Sequence, residues 1–125
     1  MSLVLDIISS DSDVLGTIAA DCAESGWDVS SFSSVKEFIL ERENSDPTVL
    51  IFAGTEKMVG QDISPDIDTL VDWHGPNSAT QVILLIPEGL RNADMIALKL
   101  GARHQLHMPY KSRDLHTILS QIAGS

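Results

Sequence analysis

Only one of the 125 residues is a cysteine, Cys22, so the chain closes no disulfide within itself and assembles no thiolate-rich metal centre. Cationic side chains are scarce as well: eight lysines and arginines stand against 18 aspartates and glutamates, for a formal charge of −10. A nucleic-acid surface needs concentrated Lys and Arg to neutralise phosphates, so this balance argues against nucleic acid as a partner. Long apolar runs are missing. The longest, Val49 to Ala53 and Val82 to Pro87, fall far short of the roughly 20 residues a helix needs to span a bilayer. The N-terminus has no basic stretch followed by an apolar one, so neither a membrane span nor a signal peptide is expected, and a reducing cytoplasm fits the single thiol.

What is present reads as globular: 43% hydrophobic residues, 21% charged, and no repetitive segment. The length suits one domain over residues 1–125 with one real core. Charge is unevenly spread. Residues 1–90 hold 16 acidic residues against Lys36, Arg42 and Lys57, whereas residues 91–125 hold five basic residues against Asp94 and Asp114. Such asymmetry suggests a partner surface of opposite sign, set against the plainer reading that the charges solvate separate faces.

Leu3 to Ile8 is a short apolar run broken only by Asp6, the pattern of a buried parallel strand. Val14, Leu15, Ile18, Ala19 and Cys22 then recur at helical spacing until Gly26. Trp27 to Phe32 alternates as a second strand, and Ser33 or Ser34 caps a helix burying Val35, Phe38 and Ile39. After a turn at residues 44–47, Val49 to Ala53 is apolar throughout, as a central strand covered on both faces should be. Residues 54–64 are irregular; Ser64 then stands as a cap before Pro65, with Ile67, Leu70 and Val71 as the stripe of a third helix. Gln81 to Ile86 is a fourth strand, and Ala93, Ile96, Ala97 and Leu100 a fourth helix closed by Gly101. His104 to His107 forms a short last strand; Ser112 caps a final helix with Leu115, Ile118, Leu119 and Ile122 inward. Five strands alternating with five helices fold as an α/β doubly wound parallel sheet of flavodoxin-like order 2-1-3-4-5. Ligand sites in such sheets lie beyond the carboxyl ends of the strands, here Ser9 to Asp13, Ala53 to Glu56, Ile86 to Gly89 and Met108 to Tyr110.

Gly101-Ala102, Met108-Pro109-Tyr110 and the spacing from the first strand to Gly26 carry a resemblance, over the whole chain, to the receiver domains of two-component response regulators. The resemblance implies a phosphorylation site: an acidic pair after the first strand to hold Mg²⁺, an Asp ending the third strand, a Thr or Ser ending the fourth, and a Lys before a proline after the fifth. Phosphoryl transfer needs a nucleophilic oxygen and cations to neutralise the phosphoryl oxygens, and Mg²⁺ needs carboxylates. Aligned this way, the acidic pair falls on Ser9 and Ser10 with Asp11 as the remaining carboxylate, the phosphoacceptor on Ala53, the hydroxyl on Ile86 and the ammonium on Met108. Apolar side chains are thus expected to line the mouth. A shift of one or two residues offers Gly54, Thr55 or Glu56 at the third strand and Pro87 or Glu88 at the fourth, and none restores the set. The aromatic that transmits the switch in the fifth strand aligns with Gln105. Among receivers, the degeneracy resembles that of the N-terminal domains of Flp-type pilus localisation proteins, which precede a ParA/MinD-like ATPase domain.

Other constellations carry less. His74, His104, His107 and His116 suggest a metal site, but positions three apart on a strand face opposite ways, and boundary histidines are the simpler reading. Cys22 on a helix stripe reads as a buried thiol; Asp11, Asp13, Asp62, Asp66 and Asp68 read as capping and solvated groups. No Gly-rich phosphate loop follows the first strand, and Ser9-Ser10 at a helix N-terminus is at most a weak anion site. Trp73 is either an exposed contact anchor or packed against the neighbouring helix.

The expectation is a non-enzymatic pseudo-receiver without cofactor or metal, acting through protein contacts, with any C-terminal output domain lying outside this chain. Receivers commonly pair through helix 4, strand 5 and helix 5. That places Arg91, Lys99, Arg103, Lys111 and Arg113 at the interface, with Asp94 and Asp114 as self-complementary partners in a homodimer. The alternative is an atypical receiver modified, or binding a small anion, at Asp11 or Thr55.

Overall fold

A computed structural model describes residues 3–42, 47–54, 64–74, 79–90 and 93–124. The chain alternates β1 (Val4–Ile8), α1 (Ser12–Glu24), β2 (Asp28–Phe32), α2 (Val35–Glu41), β3 (Val49–Ala53), α3 (Ser64–His74), β4 (Gln81–Ile86), α4 (Ala93–Leu100), β5 (His104–His107) and α5 (Ser112–Ala123). All strand pairs are parallel and the order is β2-β1-β3-β4-β5, the expected topology.

Pleating divides the core into two layers. Leu50 and Phe52 of β3 point with Ile8, Val82, Leu84 and Ile86 toward Phe38, Ile67, Leu70, Ala97 and Leu100 of α2, α3 and α4. Val49, Ile51 and Ala53 point the other way, with Leu5, Ile7, Ile83 and Leu85, onto Ile18 and Cys22 of α1 and Leu115 and Leu119 of α5. Every residue of β3 is therefore buried, and each large side chain so covered contributes about 1.5–3 kcal/mol to folding.

Helix ends follow local chemistry with two departures. Asp11 caps α1 and Ser34 caps α2, each carboxylate or hydroxyl accepting from backbone N–H groups of the first turn. Gly26 and Gly101 both take a positive φ, 85° and 68°, which lets the chain leave α1 and α4 without a Cβ clash. Ser112 does not cap α5: Lys111 occupies that position with no side-chain cap bond, and the Ser112 hydroxyl donates to Asp21 Oδ2 at 3.1 Å instead. The reason is tertiary, since an acceptor on α1 competes with the local backbone. Ser64 is already the first residue of α3, and its side chain lies outside the described residues, as does the turn at residues 44–46.

One ion pair sits inside the sheet. Asp6 of β1 is 0% exposed and accepts from Arg42 Nε at 2.6 Å and Nη2 at 2.8 Å, a two-point grip that ties the end of α2 to the sheet. The guanidinium also lies 6.0 Å from the Phe32 ring centroid, and the hydrogen bond to Asp6 raises its pKa further above the usual value. Among the described residues no buried side-chain nitrogen or oxygen lacks a hydrogen-bond partner. Removing one member of such a pair strands the other charge in the core. Arg42→Ala is expected to lower the urea-unfolding free energy by about 3 kcal/mol, and Asp6→Leu combined with Arg42→Met to recover most of that loss; an unchanged midpoint in Arg42→Ala contradicts the structural role.

Candidate functional site

The carboxyl ends of β1, β3 and β4 meet where the phosphorylation chemistry of a receiver would stand. Ser9 follows β1 and is fully buried; its N–H donates to the Phe32 carbonyl at 3.1 Å, and its hydroxyl oxygen accepts from the Asp11 N–H at 3.2 Å. Ser10 is exposed. The Asp11 carboxylate faces its own helix, Oδ1 accepting from the N–H groups of Asp13 at 2.9 Å and Val14 at 3.4 Å. These groups do not fit Mg²⁺: the hydroxyl of Ser9 is enclosed, and the single carboxylate of the three positions serves as a helix cap.

Ala53 ends β3 with 0% exposure, packed in the α1–α5 layer together with the half-buried Met108. Ile86 is not their neighbour across an apolar mouth. It faces the opposite layer, and the β4 residue in register with Ala53 is Leu85. The expected three-sided apolar mouth is thus corrected by the pleat: residues of unlike parity on adjacent parallel strands point to opposite faces. The chemical outcome is unaltered, because Leu85 and Ile86 are both buried hydrocarbons.

Beyond the strand ends the gap between β3 and β4 is filled by backbone and a proline ring. Gly54 donates its N–H to the Leu85 carbonyl at 2.9 Å, and a Cβ on Gly54 would stand 2.5 Å from Pro87 Cδ. Both residues are buried, so only a glycine admits the ring at that distance. The Met108 N–H donates to the Ile86 carbonyl at 2.8 Å, and the Met108-Pro109 bond is cis. Thr55 and Glu56, the candidates of a shifted alignment, lie outside the described residues; Glu88 is exposed.

A second surface lies on α4, β5 and α5. Asp94, Lys99, Arg103, Lys111, Arg113 and Asp114 are all exposed, and Arg91 lies outside the described residues. Arg113 and Asp114 approach each other to 4.0 Å within the chain, so Asp114 has a local partner as well as any across an interface. Three large apolar side chains that the sequence pattern did not single out are exposed among the described residues: Leu98 at 83% and Met95 at 56% on α4, and Leu40 at 67% on α2. The signal of the two on α4 was legible as positions off the Ile96, Ala97 and Leu100 stripe. On β5, Gln105 and His107 are exposed while His104 and Leu106 are half-buried, the alternation expected of a strand.

Trp73 packs rather than projects, its ring edge-on to Phe38 at 4.8 Å and stacked with His74 at 6.4 Å. His74 places Nε2 3.0 Å from the Thr80 carbonyl. Asp66 and Asp68 are exposed on α3, and Asp62 lies outside the described residues. Cys22 is buried beneath α1, where desolvation, and then the neighbouring Asp21 carboxylate, push its thiol up to about 12. Tyr110 is raised in the same direction, first by burial and then by the hydrogen bond its hydroxyl donates to Asp21 Oδ2 at 2.7 Å.

No family model and no curated protein matches the chain. Solved structures do. A response-regulator receiver domain from Clostridium thermocellum superposes with TM-score 0.75 at 22% identity, covering 99% of this chain and 95% of the other. The BeF3-activated DrrB receiver domain reaches 0.80 at 14% identity with full coverage of both chains. A structure described as a putative pilus assembly protein, CpaE, from Burkholderia thailandensis reaches 0.78 at 16% identity, covering 98% and 99%. At these identities the likeness establishes the fold, which is that of a receiver. Among the described residues no helix is long and apolar enough to cross a membrane.

The raised thiol sets a pH dependence. An ordinary thiol ionises near 9.0 and the buried one near 12, so the folded chain keeps a proton that the unfolded chain has released. Stability from this group is complete below the lower value and is lost as pH rises toward the upper one. Thermal melts are expected to fall across that interval, and less steeply in Cys22→Ala; an equal slope in the variant contradicts the assignment.

Proposed function

We propose that this chain is a receiver-fold regulatory module that has given up phosphoryl transfer and works through protein contacts. The observation that carries the reading is the closed strand-end region: a buried alanine where an acceptor carboxylate belongs, a hydrocarbon partner on β4, and Pro87 seated on Gly54. Among the described residues, the end of β3 offers no nucleophilic oxygen and the turn after β1 no carboxylate pair for Mg²⁺, which leaves the reaction without its usual acceptor and metal. The module is not an enzyme, needs no cofactor, and resides in the cytoplasm, in keeping with its one buried, reduced cysteine.

The contact surface is the α4–β5–α5 face. Leu98 and Met95 supply exposed hydrocarbon, and Lys99, Arg103, Lys111 and Arg113 supply charge that a second copy meets with Asp94 and Asp114. A more specific form of the reading, favoured by the CpaE structure and by a pilus assembly-related protein from Burkholderia pseudomallei at 16% identity, places the domain ahead of an ATPase output domain in a pilus localisation protein.

Modification at Asp11 or Thr55 is the competing reading. Mass spectrometry after incubation with acetyl phosphate and Mg²⁺ separates the two: no adduct is expected, and a phosphoryl group on either residue overturns the proposal. Light scattering on the same preparation is expected to show a dimer weakened by salt and abolished by Arg103→Glu with Lys111→Glu; a monomer under all conditions removes self-pairing and leaves the face to a different protein.

A further inference from the structure

Across the seam between α1 and α5, three potential ligand side chains converge on positions that no phosphorylation role involves. Asp21 and Glu24 lie three apart on α1, the spacing that puts side chains on one helix face. His116, from the first half of α5, meets them, and one ligand atom from each of the three lies within 4.8 Å of the other two. Asp21 and His116 are half-buried and Glu24 is exposed.

The surrounding hydrogen bonds orient this trio. Asp21 Oδ2 accepts from the Tyr110 hydroxyl at 2.7 Å and from Ser112 Oγ at 3.1 Å. That fixes the carboxylate from two residues outside the cluster, with no described residue donating to Oδ1. His116 Nε2 lies 3.0 Å from the backbone carbonyl of Asp21. A carbonyl only accepts, so Nε2 is the donor in that contact, which leaves Nδ1 as the nitrogen to face a metal. An imidazole whose other N–H is held by a carbonyl, beside a carboxylate held by hydroxyls, is the supporting arrangement that metal-ligating histidines and carboxylates share.

We propose that Asp21, Glu24 and His116 form a site for a divalent transition-metal ion, Zn²⁺, with water completing the coordination. Two carboxylates and one imidazole suit zinc, whereas Mg²⁺ takes oxygen ligands in an octahedron. Tetrahedral zinc at its usual bond lengths holds its ligand atoms about 3.3 Å apart. The three ligand atoms already lie within 4.8 Å of one another, and side-chain rotation, for which the exposed, unbranched Glu24 has the most room, draws them to the tetrahedral separation. A bound ion ties α1 to α5 and offsets two carboxylate charges on a chain with a net charge of −10. In the sequence His116 reads as a boundary residue because its partners lie more than 90 positions away on another helix.

The test is calorimetric titration of the chelator-treated full chain with ZnCl₂, compared with MgCl₂. The expected result is one zinc per chain, no magnesium heat, and an affinity at least tenfold weaker in Glu24→Gln and in His116→Gln, but unchanged in His107→Gln. Glu24 is exposed, so its variant keeps the fold, and the side-chain amide introduced by His116→Gln retains a donor for the Asp21 carbonyl. Absence of one-to-one zinc binding, wild-type affinity in either site variant, or an equal loss in His107→Gln overturns the proposal.

Discussion

β3 has no solvent face. Both sides of its five residues are roofed by helices, so the strand accepts only side chains that need no hydrogen-bond partner, and Val49 to Ala53 comply without exception. In a phosphorylated receiver the end of this strand is where polarity begins. Here burial continues one residue further, to Gly54, because the ring of Pro87 comes down on it from β4. Burial of β3 thus governs both the packing of the sheet and the apolar character of its last described residues, Ala53 and Gly54.

The same enclosure leaves polar chemistry at the margins. Asp6, the buried carboxylate of β1, is held by Arg42 and is silent toward solvent. Asp11 is turned into the first turn of α1. Exposed hydrocarbon lies on α4 at Met95 and Leu98 and on α2 at Leu40, and the surplus of basic charge lies along α4, β5 and α5, beside the short edge strand. Under the proposed function, a partner reads such a domain as a shape.

Much of this was legible in the residues. Hydrophobic period, glycine punctuation and the continuous run at Val49 to Ala53 give the ten elements and their order, because each element's period is a local property. Residue identity alone put Ala53, Ile86 and Met108 at the positions where the receiver resemblance implies an acceptor, a hydroxyl and an ammonium. What was hidden depends on register and distance. That Leu85 rather than Ile86 flanks Ala53 follows from strand pairing. The grip of Arg42 on Asp6 spans 36 positions, and the hydroxyl of Ser112 prefers Asp21, 91 positions away, to its own helix. Local patterns carry none of these contacts.

The central claim, that the strand ends form no phosphoryl site, is tested most directly by ¹H–¹⁵N NMR of the chain titrated with Mg²⁺ and beryllofluoride, a mimic of the phosphoryl group. The closed site predicts no saturable shift in the amides of Ser9, Asp11, Ala53, Gly54 and Ile86. Saturable, coupled shifts at those amides, requiring both Mg²⁺ and the mimic, would contradict it.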